Sequence, residues 1–231
     1  MKPPGRLLAA GRDADIFEYG PGLVLRRSRE GRSVVGEARV MQYLSALGFP
    51  VPAVEEVSDD GLSMVMERVN GTDMVAHMTK RPWTIARQGR VLADLHRRLH
   101  ELDAPDWLRA SPVGRGDRLL HLDLHPLNVM VTKSGPVVID WTGACRGDPL
   151  VDTALAWVLM ASGEVPSGRV LARVLAVARK VLVNAFVSSF DRHALEAHLG
   201  EVVAWKVTDP HMSEAEQARM WAMVERASRG R

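Results

Sequence analysis

The sequence predicts an α+β fold with two lobes: a small, strand-rich N-terminal lobe with one helix, and a mainly helical C-terminal lobe. Residues 1–70 alternate between apolar and polar types in short runs, as half-buried strands do. From residue 84 onward, apolar residues instead recur at intervals of three and four, the period of an amphipathic helix. Asn70-Gly71 breaks the chain between these patterns. We therefore predict lobes at residues 1–70 and 71–231.

Two hairpins and one helix account for the N-terminal lobe. The first hairpin joins residues 15–19 to 23–26 through Gly20-Pro21-Gly22. The second joins residues 54–57 to 62–66 through Asp59-Asp60-Gly61. Between the hairpins, four residues at helical spacing predict a helix, with Gly48 placed to end it: Glu37, Met41, Leu44 and Leu47.

The C-terminal lobe is predicted to contain five helices and one hairpin. The hairpin joins residues 128–131 to 136–139 around Lys133-Ser134-Gly135. Asp148 before Pro149 is typical of a helix start, and Ser213 with Glu216 is typical of a capping box. The predicted helices cover residues 84–102, 150–161, 168–188, 194–207 and 213–227.

Composition and charge narrow the class of protein. The chain has 231 residues, 46% of them hydrophobic and 25% charged, with a net charge of only +2. These values are ordinary for a globular domain and do not favour nucleic acid as a partner. The single cysteine, Cys145, cannot form an intramolecular disulfide, which fits a reducing compartment. The most apolar segment, residues 150–161, is short and interrupted by Asp152. We predict a cytoplasmic protein without a membrane partner.

One loop carries most of the chemical information. His121-Leu-Asp-Leu-His-Pro-Leu-Asn128 is followed by a hairpin that ends in Ile139-Asp140. Oxygen ligands from an amide and a carboxylate suit Mg²⁺, which completes its shell with water and phosphate oxygens. A second carboxylate can orient and deprotonate a hydroxyl. Phosphoryl transfer needs both parts, because the metal neutralises developing charge and the base aims the nucleophile.

This loop and the Val137-Val138-Ile139-Asp140-Trp141 segment resemble the catalytic and metal-binding segments of the aminoglycoside phosphotransferase family. The resemblance implies a protein-kinase-like fold, with the terminal phosphate of ATP or GTP passed to a hydroxyl of a small molecule. It implies Asp123 as catalytic base, with Asn128 and Asp140 as ligands of Mg²⁺. Family acceptors include aminoglycosides, other antibiotics, amino alcohols and sugars.

The resemblance also places a nucleotide-binding group in the N-terminal lobe. A kinase carries a lysine on the third strand, paired with a helix glutamate, and here Arg26 and Glu37 occupy those positions. Arginine is not equivalent to lysine, since it is longer and binds phosphate through a fork. Arg27 is the competing candidate, because strand alternation turns only one of the two inward.

Residues 64–71 resemble the connection between lobes to which adenine binds in this family. Met66 is then expected to border the adenine, with the carbonyl of Glu67 and the amide of Val69 as its hydrogen-bond partners. The loop that covers the phosphates falls between Ala10 and Tyr19. Only Gly11 and Gly20 lie near it, so the sequence alone does not predict a phosphate loop.

Three alternatives remain open. The arginine at position 26 and the glycine-poor loop also suit a nucleotide-binding pseudokinase or regulatory module without transfer activity. A helical interaction protein that binds no nucleotide is the second alternative. His96 and His100 could bind a metal by their spacing, although no neighbouring carboxylate motif supports it.

Overall fold

The computed structural model describes residues 1–11, 13–163 and 169–229. The predicted helix start at Gly168 lies outside them. Contacts divide the chain into two compact units. The first contains Met1–Thr72 and Met130–Thr142, and the second contains Asp73–Val129 and Gly143–Arg231. The lobes proposed from sequence, residues 1–70 and 71–231, stay a prediction. Within the described ranges, no helix has both the length and the apolar composition required to cross a bilayer.

The first unit is built on a five-stranded antiparallel sheet in the order β1-β2-β3-β5-β4. Gly22, with φ of +71°, turns the chain between the second and third strands. The central strand β3 pairs on both sides, so that Arg26 lies opposite Ile16 on one neighbour and Met64 on the other. The strands are β1 (Leu7–Ala10), β2 (Ala14–Gly20), β3 (Leu23–Ser28), β4 (Val54–Val57) and β5 (Ser63–Glu67).

Helix α1 (Val35–Ala46) follows the third strand and buries Ala38, Val40, Met41 and Leu44. It ends where predicted, since Gly48 adopts a φ of +72° and its N–H donates to Ser45 O at 3.0 Å. A three-stranded sheet, in the order β6-β8-β9, completes the unit. Its strands are β6 (Gly71–Asp73), β8 (Val129–Thr132) and β9 (Pro136–Val138), with Asp73 and Val129 assigned to the second unit.

The second unit is helical apart from a two-stranded ribbon of β7 (Arg118–Leu120) and β10 (Cys145–Gly147). Helix α4 is buried along nearly its whole length and packs against three others, α5, α6 and α7. Asp148 caps it by accepting a hydrogen bond from Leu150 N. The helices are α2 (Met74–Lys80), α3 (Ile85–His100), α4 (Pro149–Ser162), α5 (Arg169–Val187), α6 (Arg192–Lys206) and α7 (Glu214–Arg229).

The α+β fold class is confirmed, and each long predicted helix is present to within two residues at either end, apart from the predicted start at Gly168, which lies outside the described residues. Ser213 and Glu216 form the predicted capping box through reciprocal hydrogen bonds of 3.1 Å. The sequence did not predict β1, β6, β7, β10 or the seven-residue helix α2. Three or four residues contain too little periodicity to separate a strand from a loop.

Gly89 sets the distance between helices α3 and α5. A Cβ at this position would lie 2.6 Å from Leu182 O and 2.9 Å from Ala185 Cβ. We expect Gly89→Ala to lower the free energy of unfolding by about 1–3 kcal/mol, the usual cost of overpacking. Gly200 in α6 is the matched control, since a Cβ there meets nothing within 4 Å. Gly200→Ala should leave stability equal or raise it, by about 0.5–1 kcal/mol. Urea unfolding measures both, and equal stability of the two variants would contradict the assigned close packing.

Candidate active site

The loop between β7 and β8 holds two of the predicted site residues close together. The Asn128 side-chain amide donates to Asp123 O at 2.9 Å and to Asp123 Oδ2 at 3.0 Å. This pair of bonds fixes the carboxylate relative to its own backbone. Because the amide nitrogen is directed at Asp123, the Asn128 Oδ1 atom is left as an oxygen donor.

His125 is the second neighbour of the Asp123 carboxylate. Its Nδ1 accepts from Leu127 N at 3.3 Å, so Nε2 carries the proton in the neutral ring, and Nε2 lies 3.5 Å from Asp123 Oδ2. Burial alone would raise the pKa of Asp123, but the interaction with His125 and the nearby positive charge of Lys206 hold that pKa below its usual value. Asp123 is therefore ionised at neutral pH, and its side chain is 37% exposed.

The start of this loop is held by Asp152, which lies on helix α4. Leu122 adopts a φ of +59°, a conformation that costs a branched side chain on the order of 1–3 kcal/mol. Asp152 stabilises it, because Leu122 N–H donates to Asp152 Oδ1 at 2.8 Å and His121 N–H donates to Asp152 Oδ2 at 3.1 Å. Sequence reasoning missed this role and treated Asp152 only as an interruption of an apolar run. A carboxylate inside such a run, which must be paired if it is buried, was the available signal.

Two histidines of α3 complete the surroundings of Asp152. His100 Nε2 donates to Asp152 Oδ2 at 3.0 Å, and His96 Nδ1 lies 3.9 Å from the same oxygen. The three side chains offer ligand atoms that all lie within 4.8 Å of one another. The carboxylate already accepts from two backbone amides and from His100, so hydrogen bonding accounts for the cluster. A metal bound by His96 and His100 would therefore have Asp152 as a third ligand, but no metal is needed to explain the arrangement.

Burial shifts the pKa values of this cluster in directions that predict acid sensitivity. Desolvation lowers the pKa of His96 to about 4, against the opposing attraction of Asp152. Burial would raise the pKa of Asp152, but the His100 hydrogen bond and the neighbouring histidines hold it well below its usual value. Both folded-state values lie below the unfolded ones. At these two groups the unfolded chain therefore binds more protons, so that they lower the stability as the pH falls.

We expect His96 to lower the free energy of unfolding as the pH is lowered from about 6.5 to about 4, whereas Glu37, whose pKa is raised to about 7, acts in the opposite direction over much of the same range. The His96 shift sets an upper limit of roughly 3 kcal/mol on its own contribution. Asp152 adds a further loss below its unfolded pKa of 3.8. Urea unfolding at a series of pH values measures the slope for both proteins, and His96→Gln should lose less stability on acidification between pH 6.5 and 4 than the unmodified protein, because the Glu37 contribution is common to both. A slope that is unchanged in this variant would remove the His96 contribution.

The first unit brings three other predicted residues together. Arg26 is directed inward and Arg27 is exposed, as strand alternation predicted for the favoured candidate. Arg26 Nη1 lies 2.8 Å from Glu37 Oε2, and Arg26 Nη2 lies 3.9 Å from Asp140 Oδ1. The guanidinium fork therefore spans two carboxylates, whereas a lysine offers a single charged nitrogen.

Glu37 and Asp140 differ in their exposure and backbone. Burial raises the pKa of Glu37 to about 7 against the attraction of Arg26, and the charge of Asp140 adds to the increase. The Asp140 carboxylate is 41% exposed, and it accepts a hydrogen bond from the Thr142 hydroxyl. Asp140 adopts a φ of +64°, a region that aspartate tolerates better than most residues. Its backbone conformation turns the chain at the end of β9.

The predicted adenine-binding residues lie at the end of β5. Met66 pairs with Val24 and Val54 and is half-buried, and Glu67 N–H donates to Ala53 O at 2.8 Å. Val69 follows the strand and is partly buried. These placements describe the strand end, and the nucleotide-binding roles of Arg26, Glu37, Met66, Glu67 and Val69 stay predictions.

The oxygen donors expected for a magnesium ion are chemically suited to it. Asn128 presents Oδ1 in the second unit, and Asp140 presents a partly exposed carboxylate in the first. Amide and carboxylate oxygens are the ligand types that Mg²⁺ takes in phosphoryl-transfer enzymes. The residues therefore fit the ion by chemistry, and their assignment as its ligands remains a prediction.

The model of the phosphotransferase enzyme family, APH, matches residues 5–116 and 98–198. Among curated proteins, none matches the sequence. Several solved structures share the fold at low sequence identity.

A thermostable mutant of aminoglycoside phosphotransferase APH(4)-Ia, solved with ADP and hygromycin B, is 16% identical, with a TM-score of 0.63 over 98% of this chain and 94% of that one. A choline/ethanolamine kinase family protein from Mesorhizobium loti is 18% identical, with a TM-score of 0.58 over 99% and 87%. The amicoumacin kinase hAmiN is 14% identical, with a TM-score of 0.51 over 97% and 88%.

Proposed function

Because the chain belongs to the phosphotransferase enzyme family, we propose that it transfers the terminal phosphate of ATP or GTP to a hydroxyl of a small molecule. Asp123 is the catalytic base in this proposal. Arg26, Glu37, Met66, Glu67 and Val69 contribute to the nucleotide site.

The arrangement of the 121–128 loop carries the proposal. A general base must be ionised, accessible and held in one orientation. Asp123 has a lowered pKa, a side chain that is 37% exposed, and a carboxylate fixed by the Asn128 amide. These properties suit the removal of a proton from an acceptor hydroxyl as it attacks the phosphate.

Asn128 and Asp140 are the proposed magnesium ligands, since both present oxygen atoms of the required type. When bound, the ion supplies positive charge that neutralises the phosphate oxygens. The chain's own contribution is positional. Asn128 orients the base through its nitrogen, and Arg26 holds Glu37 through one nitrogen while its second nitrogen lies beside Asp140.

The acceptor is proposed as a class. Among proteins of similar fold, one was solved with hygromycin B and one is an amicoumacin kinase. A third belongs to the choline/ethanolamine kinase family. A polycationic aminoglycoside requires several carboxylates around its ammonium groups. The acidic residues considered from sequence are Asp191, Glu196, Glu201, Asp209 and Glu164, the last outside the described residues. Asp191 caps α6, Glu196 and Asp209 pair with Arg192 and Lys206, and Glu201 lies beside His198, so none of these four supports a preference for aminoglycosides.

A panel of acceptors with γ-labelled ATP or GTP and Mg²⁺ tests the proposal. The panel should contain aminoglycosides, amino alcohols, sugars and non-aminoglycoside antibiotics, and hydrolysis without acceptor should be followed in parallel. We expect label to transfer to one hydroxyl-bearing class. Binding of Mg²⁺-nucleotide without transfer to any acceptor and without hydrolysis would instead favour the second candidate.

That second candidate is a nucleotide-binding pseudokinase or regulatory module. The observation that favours it is the ion pairing of Arg26 with both Glu37 and Asp140, where the family pattern has a lysine. It predicts a Mg²⁺-nucleotide-dependent rise in melting temperature without phosphate release. Retention of Asp123, Asn128 and Asp140 together argues for the transferase, because a module without transfer activity has no use for a base.

A further inference from the structure

His96 is an unusual component of the core of the second unit. It lies on α3 among Leu92, Leu95 and Leu99, and none of its surface is exposed. The edge of its ring contacts Phe186, with 5.2 Å between ring centroids. An apolar residue would fill this space without the cost of burying a polar ring. The interaction made by its nitrogen atoms must therefore explain what the imidazole adds.

One nitrogen of His96 is directed at the catalytic loop. His96 Nε2 lies 3.1 Å from Leu124 O, and Leu124 directly follows the proposed base Asp123. A carbonyl oxygen only accepts, so Nε2 must carry the proton and donate. The other nitrogen, Nδ1, has no hydrogen-bond partner among the described residues. The ring is thus a neutral donor to a single backbone oxygen.

This bond completes a set of three restraints on the loop backbone. Asp152 accepts from the amides of His121 and Leu122, before the base. The Asn128 side chain donates to the carbonyl of Asp123 itself. His96 holds the next carbonyl, so the backbone is restrained both before and after Asp123.

We propose that His96 is a positioning residue, whose neutral imidazole holds the Leu124 carbonyl and so sets the direction of the Asp123 carboxylate. The inference rests on the proposed function, in which Asp123 is the base. His96 touches neither substrate nor nucleotide in this account, and it acts through the carbonyl of the residue that follows the base. Misorientation of a catalytic group by about 1 Å is enough to lower turnover about 100-fold.

Three substitutions separate donation from packing. His96→Gln places an amide Nε2 at a similar distance from the backbone and keeps a donor for Leu124 O. His96→Leu fills the space without a donor, and His96→Asn has an amide too short to reach the carbonyl. Met223→Ala is the control for general destabilisation, because Met223 is buried in α7 and belongs to none of the contacts described here.

We expect His96→Leu and His96→Asn to lower kcat by about 10- to 100-fold with the nucleotide KM changed less than about twofold. His96→Gln should keep kcat within about threefold of the unmodified protein, and Met223→Ala should leave it unchanged well below the melting temperature. Equal kcat in the Gln and Leu variants, or a parallel loss of kcat and nucleotide affinity, would overturn the positioning role.

Hydrogen exchange provides a readout that does not depend on activity. Amides of residues 122–128 should exchange faster in His96→Leu than in His96→Gln, while amides of α6 exchange equally in both. Identical exchange of the loop in these two variants would also overturn the inference. If the unmodified protein neither hydrolyses nucleotide nor transfers phosphate, the proposed function fails, and the exchange experiment still decides whether His96 holds the loop. If His96→Leu does not fold, the Asn and Gln pair gives the same comparison.

Discussion

Asp123→Asn is expected to reduce phosphoryl transfer by about 10²–10⁴-fold, the usual contribution of a general base. The substitution keeps the shape of the side chain but removes the charge that accepts the proton. Binding of Mg²⁺-nucleotide should persist, because the base acts on the acceptor hydroxyl rather than on the nucleotide. Turnover with γ-labelled nucleotide and affinity by calorimetry measure the two quantities separately.

Asp106→Asn is the matched control for this substitution. Asp106 belongs to the same unit, but its side chain is fully exposed, and among the described residues it forms one ion pair, a 3.6 Å contact with Arg146. Its replacement should leave turnover unchanged. Turnover in Asp123→Asn equal to that of the control would remove the base assignment. A loss of nucleotide binding in Asp123→Asn would show that the carboxylate serves the nucleotide instead.

Asp152→Ala is expected to cause the largest loss of stability, about 3–5 kcal/mol, as measured when one partner of a buried ionic cluster is removed. The amides of His121 and Leu122 and the His100 ring would each lose their acceptor. Leu122 would also lose the bond that offsets its strained backbone. Because whole domains are stable by only about 5–15 kcal/mol, this single change removes a large share.

Urea unfolding of Asp152→Ala and Asp148→Ala provides the comparison. Asp148 caps the same helix, and loss of a cap costs typically about 1 kcal/mol. If Asp152→Ala does not fold, Asp152→Asn retains the shape and one acceptor oxygen, and it should still be less stable than Asp148→Ala. A loss no greater than that of the cap variant would show that Asp152 does not hold the loop.

Residues that are close in sequence or fixed by strand alternation were predictable. Asp123 and Asn128 share one short loop, so their contact follows from the chain itself. Strand alternation predicted that only one of Arg26 and Arg27 turns inward, and the family resemblance favoured Arg26, whose side chain is buried and pairs with Glu37. Long helices were also predictable from the local sequence, because α3 repeats its apolar pattern over sixteen residues.

Contacts between distant segments were not predictable. Asp152 lies thirty-one residues from His121, and His96 lies twenty-eight residues from Leu124. No local pattern connects these positions, although the 96/100 spacing already placed both histidines on one face of α3. The ribbon of β7 and β10 was missed because it joins two three-residue segments across an intervening hairpin. Each of these features depends on tertiary packing rather than on propensity.

The close approach at Gly89 has a consequence for how this chain tolerates sequence change. Gly89 and His96 are seven residues apart, about two helical turns, and therefore lie on the same side of α3. Displacing that helix from α5 by about 0.5 Å along the direction of the 3.1 Å bond would take His96 Nε2 beyond hydrogen-bonding distance of Leu124 O. Leu182, Ala185 and Phe186 thus set the spacing between α3 and α5 on which the hydrogen bond of a histidine two turns away depends. Substitutions at these three positions of α5 are therefore constrained by the 121–128 loop, even though none of the hydrogen bonds described above joins them to it.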